Sequence, residues 1–492
     1  MAETAYRRFA SGSGNAGPTA GEGLADEASA RARTAREKAA KPRPSRERAA
    51  RTCVRTLPVV PVRARGLTIE GADGRRYLDC VSGAGALALG HHHPVVLEAI
   101  RKVLDSGVPL QVMNLTTPVE DAFVTELLRT LPPGLADHAR VRFCGPAVTD
   151  PLVTAVGLVR AATGRSRVVT FTHQVDGPVP EAWTGPGDAC GTRSTRLPYP
   201  GDELDFRDPG DAHRAGAVAG QRGDERAADG AESALGDRRP GRKLPAGVIL
   251  EPVRSVDGVF PASDTWMRRM RRITAERSVP LIADETATGV GRTGAFWAVE
   301  HSGVLPDVLI LSEAVGGSLP LAAVVHHTDL YAGEPGSGTF RGNQLALAAG
   351  AATLAHVREH RLAEHAAALG ARILTRLRGL AEVFPFVGDV RGRGLMIGIE
   401  LVAPDGAPDT PADGVRPGPA AELAASVQRE CLRRGLIVDV TGPAANVVRL
   451  LPPLIVTEEQ TTAVLERLAD AVEAVDRGLG GHAPPGGVRA PR

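Results

Sequence analysis

Glu313 is a carboxylate that follows a predicted buried strand. Residues 305–310 combine a Pro-Asp turn with an apolar run, and Glu313 lies three residues beyond that run. A carboxylate cannot form an imine with an aldehyde, so amine-type nucleophilic catalysis is excluded at this residue. If burial raised its pKa towards neutrality, Glu313 would instead act as a general base.

Lysine, the side chain that does form imines, is rare in this chain. The 492 residues include Lys38, Lys41, Lys102 and Lys243, and nearly all other positive charge is arginine. The first two lie in a polar tail, Lys102 lies in a predicted helix, and Lys243 ends a low-complexity insert. Arginine stays protonated in proteins and cannot serve as an imine-forming amine. Imine-forming amines are therefore few in this sequence, and none lies near position 313 along the chain.

The composition is that of a soluble globular protein. Apolar residues make up 43% and charged residues 23%, and the net charge of +1 gives no reason to expect nucleic-acid binding. No apolar run approaches the roughly 18 residues that a membrane span needs, and no secretory signal follows the first residues. The cysteines are odd in number and lack CxxC spacing, which argues against disulfides or a zinc site. We therefore expect a cytoplasmic protein with no metal site and no membrane or nucleic-acid partner.

The elements that position Glu313 follow an alternating pattern. Residues 62–78 predict a hairpin with its turn at 72–74, and His93-Pro94 predicts the start of a helix. From about 110 to 375, apolar strands alternate with helical segments, which is typical of a parallel α/β sheet. The predicted strands are Val168–Phe171, Ala246–Leu250, Val279–Ala283, Val308–Leu311, Met396–Leu401, Leu436–Asp439 and Val447–Leu451.

The chain divides into a large unit and a smaller one. Residues 1–45 and 476–492 are poor in large apolar side chains and predict disordered tails. The predicted parts between them are an N-terminal segment of the small domain (46–105), a large domain (106–375) and a C-terminal part of the small domain (376–475). A Gly, Asp, Arg and Ala run over 204–243 predicts a flexible insert, and 404–419 predicts a Pro/Gly loop.

Several motifs occur in a fixed order along the chain. They are Gly74–Cys80, Gly83–Leu87, Gly90–Pro94, Phe143–Pro146, Ile249–Val253, Ala283–Glu285 with Gly289–Gly294, Leu311–Pro320, Gly338–Gln344 and Val390–Met396. Together they resemble the class III aminotransferases, which depend on pyridoxal phosphate (PLP). The resemblance covers roughly 46–475 and is closest to the enzymes that make 2,4-diaminobutyrate. It implies an α/β, fold type I PLP-transferase: a large domain with a mainly parallel sheet flanked by helices, and a smaller α/β domain from both chain ends.

This resemblance assigns roles at the two predicted strand ends. The third residue of Leu311–Pro320 corresponds to the lysine that forms the Schiff base with the cofactor, and here it is Glu313. Asp284 corresponds to the acid that pairs with the pyridine nitrogen and keeps the ring an electron sink. The family's ring acid is therefore kept, while its imine-forming residue is lost.

The positions that correspond to the phosphate cradle and the ring platform are altered. The cradle segment is Gly145, Pro146, Ala147 and Val148; alanine removes a hydroxyl donor, and valine replaces a glycine where the backbone should approach the anion. Val175 stands where the family stacks an aromatic ring on the cofactor. Covalent PLP binding is therefore not expected, and little would hold PLP non-covalently.

Two functional elements of the family are kept. Arg391 corresponds to the arginine that binds the substrate α-carboxylate with a bidentate guanidinium. Thr339 lies in a loop that, in the family, crosses the dimer interface to reach the phosphate bound by the other subunit. Groups for the chain's own cofactor are thus mostly lost, while the loop that serves a neighbour is intact. The loop's survival is also explained if it simply packs a homodimer interface.

Three functions remain open on the sequence. The first is a catalytically degenerate protein of the diaminobutyrate aminotransferase family, acting as a non-transaminating dimer partner or regulator. It would form a homodimer, or a heterodimer with an intact aminotransferase paralogue. The second is an altered-chemistry PLP enzyme with Glu313 as general base, and the third is a PLP-dependent transaminase of diaminobutyrate or related metabolism. A carboxylate ligand on Arg391 needs no lysine and fits any of them.

Overall fold

A seven-stranded sheet through the middle of the chain carries the two predicted strand ends. The computed structural model describes residues 57–112, 115–145, 149–171, 194–197, 199–200, 212–236, 244–330, 341–403 and 420–480. The strands in these ranges are β1 Pro61–Arg65, β2 Thr68–Gly71, β3 Arg76–Asp79, β4 Ala139–Phe143, β5 Val168–Thr170, β6 Ser194–Arg196, β7 Gly247–Leu250, β8 Val253–Arg254, β9 Phe260–Pro261, β10 Leu281–Asp284, β11 Val308–Leu311, β12 Ala323–His327, β13 Val387–Arg393, β14 Met396–Leu401, β15 Leu436–Ile437, β16 Asp439–Thr441 and β17 Val447–Leu450.

The α-helices in the same ranges lie between and after these strands. They are α1 Pro94–Ser106, α2 Pro118–Thr130, α3 Pro133–Ala136, α4 Thr149–Thr163, α5 Ala212–Gly236, α6 Asp264–Glu276, α7 Gln344–Glu359, α8 Leu362–Val383, α9 Ala421–Arg433 and α10 Glu458–Gly478. Helix α1 begins as predicted, with Pro94 in its first turn after His93. None of the described helices is long and apolar enough to cross a bilayer.

The large sheet has the strand order β4-β12-β11-β10-β7-β5-β6. Neighbouring strands run parallel except β12, which is antiparallel to both β11 and β4. Strands β7, β10 and β11 are buried along their whole length, as expected when helices cover both faces of a parallel sheet. The predicted α/β sheet is confirmed, with one antiparallel strand that the pattern did not show.

One of the two smaller sheets combines segments from both ends of the chain. One has the order β1-β2-β3-β15, in which β15 pairs in parallel with β3, and the other has the order β13-β14-β17-β16. The predicted hairpin turn is present: the Gly74 amide donates to the Gly71 carbonyl at 2.9 Å, and the Tyr77 hydroxyl donates to Asp73 at 2.9 Å. The smaller unit is therefore built from both chain ends, as predicted.

The structure departs from the sequence prediction in three places. Residues 212–236 form helix α5 where a flexible insert was predicted, because Ala227, Ala231 and Leu235 recur at helical spacing and are buried in the core. The predicted strand Leu436–Asp439 is split into β15 and β16, which belong to different sheets. Helix α10 extends to Gly478, past the predicted start of a disordered tail. The tail at 1–45 and the loop at 404–419 lie outside the described residues.

Candidate active site

The two predicted strand ends meet at one edge of the large sheet. Asp284 is the last residue of β10, and Glu313 follows β11 after a single intervening residue. The strands are parallel neighbours in which Asp284 pairs with Ile310. The carboxyl ends of parallel strands form the usual ligand-binding crevice of an open α/β sheet. The sequence prediction that these residues share a site is therefore consistent with their places in the sheet.

The backbone at Glu313 is held in a demanding conformation. Glu313 has φ of 52°, in the left-handed region, and begins a 3₁₀ turn that ends at Gly316. This turn lies directly on helix α7: a Cβ built on Gly350 would come within 2.3 Å of the Val315 carbonyl oxygen. A Cβ on Gly317 would come equally close to the Ala349 carbonyl oxygen, at 2.3 Å. Left-handed φ in a non-glycine residue persists only where its surroundings enforce it, and such residues cluster at functional sites.

The Glu313 side chain is half-buried, and one of its carboxylate oxygens is buried without a compensating hydrogen bond. Its Oε2 atom has no hydrogen-bond partner within the described part of the chain. Burial raises the pKa of Glu313 to about 7. The charges of Arg449 and Arg292 lower this pKa, and the Asp284 charge raises it. The side chain is thus poised to gain or lose a proton near neutral pH, which is the property a general base needs.

Asp284 and the adjacent Glu285 have different surroundings. Asp284 is 5% exposed, and its Oδ1 accepts from the Thr286 amide at 2.9 Å. Burial raises the pKa of Asp284. Glu285 accepts from the Thr288 hydroxyl at 2.6 Å and from the Val299 amide at 2.8 Å, and burial raises its pKa to about 7. Because both its oxygens accept hydrogen bonds, Glu285 fastens the loop after β10, whereas Asp284 belongs to the site edge.

Two buried arginines that the sequence prediction missed act on Glu313. The Arg292 guanidinium donates to the main-chain oxygens of Pro452 and of Gly85, the latter at 3.3 Å, and burial lowers its pKa to about 10. Arg449 lies in β17 and is 6% exposed. A charged residue in the otherwise apolar run Val447–Leu451 was the available signal, since lone arginines are seldom buried without a partner.

Arg449 is held from two sides and keeps one donor unused. It donates to the Ser255 hydroxyl at 2.9 Å, to the Ser255 carbonyl at 3.2 Å and to Asp439 at 2.5 Å. Its Nε atom is buried with no acceptor among the described residues. The guanidinium is therefore fixed in orientation while an N–H group remains available.

Arg391 lies in the same row of the sheet as Arg449. Arg391 pairs with Gly398 on β14, and Gly398 pairs with Arg449 on β17. The Arg391 guanidinium lies 3.8 Å from the Phe260 ring centre and donates to Glu400 at 2.5 Å. It also donates to Asp389 at 2.9 Å and to the Gly258 carbonyl at 2.9 Å, and its Nη2 atom is buried with no acceptor among the residues that the structure describes. The role of Arg391 in binding a substrate carboxylate stays a prediction.

The predicted cradle is described at its first residue alone. Gly145 follows β4, and a Cβ added to it would come within 2.1 Å of the Asp150 carboxylate, so a larger residue would require the Asp150 side chain to move. The remaining predicted site residues lie outside the described residues: Pro146, Ala147, Val148, Val175 and Thr339.

The comparison of sequences identifies relatives over nearly the whole chain. The family model "aminotransferase class-III" matches residues 49–472. A diaminobutyrate–2-oxoglutarate aminotransferase from Rhizobium meliloti (strain 1021) is 43% identical over 433 residues, which are 87% of this chain and 91% of the relative. A protein of the same name from Haemophilus influenzae is 35% identical over 86% of this chain and 92% of its own length.

Solved structures agree with this likeness. An amine transaminase from an uncultivated Pseudomonas species, determined in its PLP-bound internal aldimine form, has a TM-score of 0.71 at 26% identity. The match covers 85% of this chain and 95% of that structure. A phospholyase from Arthrobacter has a TM-score of 0.71 at 23% identity, covering 86% and 97%, which shows a shared fold alone. The predicted fold class is confirmed.

Proposed function

This chain belongs to the aminotransferase class-III family, within its diaminobutyrate aminotransferase group, and we propose that it is a member that does not transaminate. It acts instead as a dimer partner or regulator. The observation that carries this proposal is Glu313, which we place at the family's lysine position on its motif and on its location directly after β11. A carboxylate at that point cannot supply the imine on which amino-group transfer depends.

The described residues do not fit covalently bound PLP. The lysine among them is Lys102, whose side chain is 75% exposed and pairs with Glu98 at 2.8 Å on helix α1. Around Glu313 the nearby charged groups are two arginines and one aspartate. Neither side-chain type is an imine-forming amine. The described residues around Glu313 therefore offer no amine to which PLP could be linked.

The partner role is supported by the loop that leads into helix α7. The sequence of Gly338–Gln344 keeps the family pattern, including Thr339. The described end of this loop is anchored: the Asn343 side chain accepts from the Leu345 amide at 3.0 Å and from the Ala346 amide at 3.2 Å. Gln344 accepts from the Thr117 hydroxyl at 2.7 Å. Because the described end of the loop is held by these hydrogen bonds, the loop is suited to contact another subunit across a dimer interface. That subunit would be an intact paralogue or a second copy of this chain.

One observation favours an altered-chemistry enzyme as the second candidate. Glu313 has a pKa raised by burial to about 7, which suits general-base catalysis at neutral pH. Such an enzyme would need PLP held without an imine. The two candidates therefore differ in whether PLP binds the isolated chain at all.

The deciding experiment is a PLP titration of the purified full chain, followed by absorbance and by thermal shift. The Rhizobium meliloti relative serves as the positive control. The titration is then repeated in the presence of an intact diaminobutyrate aminotransferase from the organism that encodes this chain. We expect no visible imine absorbance from this chain alone, and a stable mixed dimer with the intact enzyme. A yellow protein that borohydride bleaches would overturn the proposal. Saturable PLP binding without that absorbance would favour the altered-chemistry enzyme.

A further inference from the structure

Three histidine side chains lie together where helix α1 begins and helix α7 ends. The centre of the His93 ring lies 4.7 Å from that of His356, and the His356 ring stacks on the His360 ring at 3.9 Å. His93 and His356 are half-buried, and His360 is exposed. Among the described residues, no group of three His, Cys, Asp or Glu side chains could hold a metal ion. Histidines change their charge between about pH 5 and 8, so the charge of this histidine cluster depends on pH.

The two helix ends have opposite effects on a positive charge in the cluster. His93 is the N-cap residue of α1, and its Nδ1 atom is buried with no hydrogen-bond partner among the described residues. A cation is unfavourable at a helix N-terminus and favourable near a C-terminus, where His356 and His360 lie. Burial lowers the pKa of His93 and of His356, and positive charge on His360 lowers both further. As the pH falls, we therefore expect a first proton to bind at the end of α7 and a second one to be repelled by it.

The chain before His93 is anchored to the N-terminal hairpin. The His91 amide donates to the Gly66 carbonyl at 2.9 Å, and the Gly66 amide donates to the His91 carbonyl at 2.8 Å. The His91 ring lies 2.8 Å from Asp79. His92 has φ of 51°, a left-handed conformation that persists only where its surroundings enforce it. Because His93 is attached to this fixed turn, repulsion between charged rings acts on the packing of α1 against α7.

The other charged groups on these elements are mostly paired. Glu359 is exposed, and its charge raises the pKa of His356. Glu359 accepts from Arg358 at 3.2 Å, and Arg358 also donates to Glu126 of α2 at 2.7 Å. Two more ion pairs are those of Glu98 with Lys102 on α1 and of Arg361 with Glu364 at the start of α8. Glu359 is therefore the acidic group that favours protons in the cluster.

Helices α1 and α7 are also joined at their opposite ends. The Gln344 amide donates to the Leu110 carbonyl at 3.3 Å, and the Gln344 side chain accepts from the Thr117 hydroxyl at 2.7 Å. Leu110 follows the end of α1, and Gln344 is the first residue of α7. The two helices therefore run antiparallel, and the loop that leads into α7 depends on their contact.

We propose that the histidine cluster is a proton-sensitive contact between α1 and α7, which loosens on protonation and releases the loop that leads into α7. The proposal rests on the proposed function, because that loop is the part expected to contact another subunit. Acidification would therefore weaken the dimer in which this chain takes part, and return to neutral pH would restore it.

Hydrogen–deuterium exchange of the full chain at about pH 7.5 and about pH 5.5, corrected for the intrinsic pH dependence of amide exchange, tests the contact. His356→Gln and His360→Gln each remove one proton-binding ring, and the exposed His360 is the one whose loss disturbs packing least. His138→Gln is the matched control, because its ring contacts that of His327 at 5.0 Å rather than this cluster. Sedimentation of the same proteins, alone and with an intact diaminobutyrate aminotransferase, measures dimer formation at both pH values.

We expect amide protection at the starts of α1 and α7 to fall about tenfold in wild type at the lower pH, the effect of about one pKa unit. It should fall less in His356→Gln and His360→Gln, whereas His138→Gln should behave as wild type. Equal pH dependence in wild type and both cluster variants overturns the proton-sensitive contact. Loss of protection without weaker dimerisation overturns the release of the loop. Absence of any dimer at about pH 7.5 contradicts the proposed function, while exchange in the isolated chain still decides the contact.

Discussion

Replacing Glu313 by glutamine should change how the stability of this protein depends on pH. Burial raises the pKa of Glu313 from 4.5 to about 7, so the native state holds this proton more tightly than the unfolded chain does. The resulting stabilisation is fully present below about pH 4.5 and is lost as the pH rises through about 7. At about 1.4 kcal/mol for each pKa unit, the loss at high pH is about 3.5 kcal/mol. Glutamine at position 313 cannot ionise, so the Glu313→Gln variant should not lose this stability as the pH rises.

The measurement is urea-induced unfolding of wild type and Glu313→Gln at about pH 5 and about pH 8. We expect similar free energies of unfolding at the lower pH and a more stable variant at the higher pH, by up to about 3 kcal/mol. Glu285 also has a raised pKa, but it is present in both proteins and cancels in the difference. The control Glu98→Gln should show no such change. If Glu313→Gln is no more stable than wild type at the higher pH, the carboxylate is not buried and uncompensated as described.

Three further substitutions test the site and its supports. Glu313→Lys alone should not restore transamination, because the new ammonium would lie beside two buried arginines and the altered cradle would remain. Imine absorbance and amino-group transfer measure this. Gly350→Ala should destabilise the protein by about 1–3 kcal/mol in thermal unfolding, since its Cβ would meet the Val315 carbonyl oxygen at 2.3 Å; Gly379→Ala, which meets nothing within 4 Å, should not. Burial lowers the pKa of His356, so the stability that its neutral form contributes is present above pH 6.5 and is lost as the pH falls; His356→Gln should lose less stability than wild type on acidification.

Local sequence patterns predicted the two strands that carry the candidate site. The apolar strand before Glu313 and the strand that ends at Asp284 were both predicted, because a buried parallel strand is a continuous apolar run. Their pairing follows from the register of β10 and β11. Glu313 as an unusual residue was visible from its motif alone. The burial of Glu313 Oε2 without a hydrogen bond could not be predicted from the motif. It depends on which polar groups the neighbouring elements bring close to this atom.

The missed residues share a physical cause. Arg449 acts on Glu313 from β17, far along the chain, so its place beside Glu313 depends on how separate elements pack together. The glycines and charges of helix α5 resemble loop composition and so predict a flexible insert, whereas the helix is stabilised by contact with helix α6. Long-range register and tertiary contact are the two quantities that a single sequence does not encode locally.

The parallel pair of β3 and β15 has a consequence for how the chain folds. Leu78 pairs with Leu436, so the first small sheet closes only after nearly all of the chain is available. Contacts this distant carry a large loop-closure entropy and form slowly. During synthesis the N-terminal hairpin would wait, with one edge unpaired, until residue 436 leaves the ribosome. A truncation before β15 should therefore leave an exposed, aggregation-prone strand edge near the opposite end of the chain.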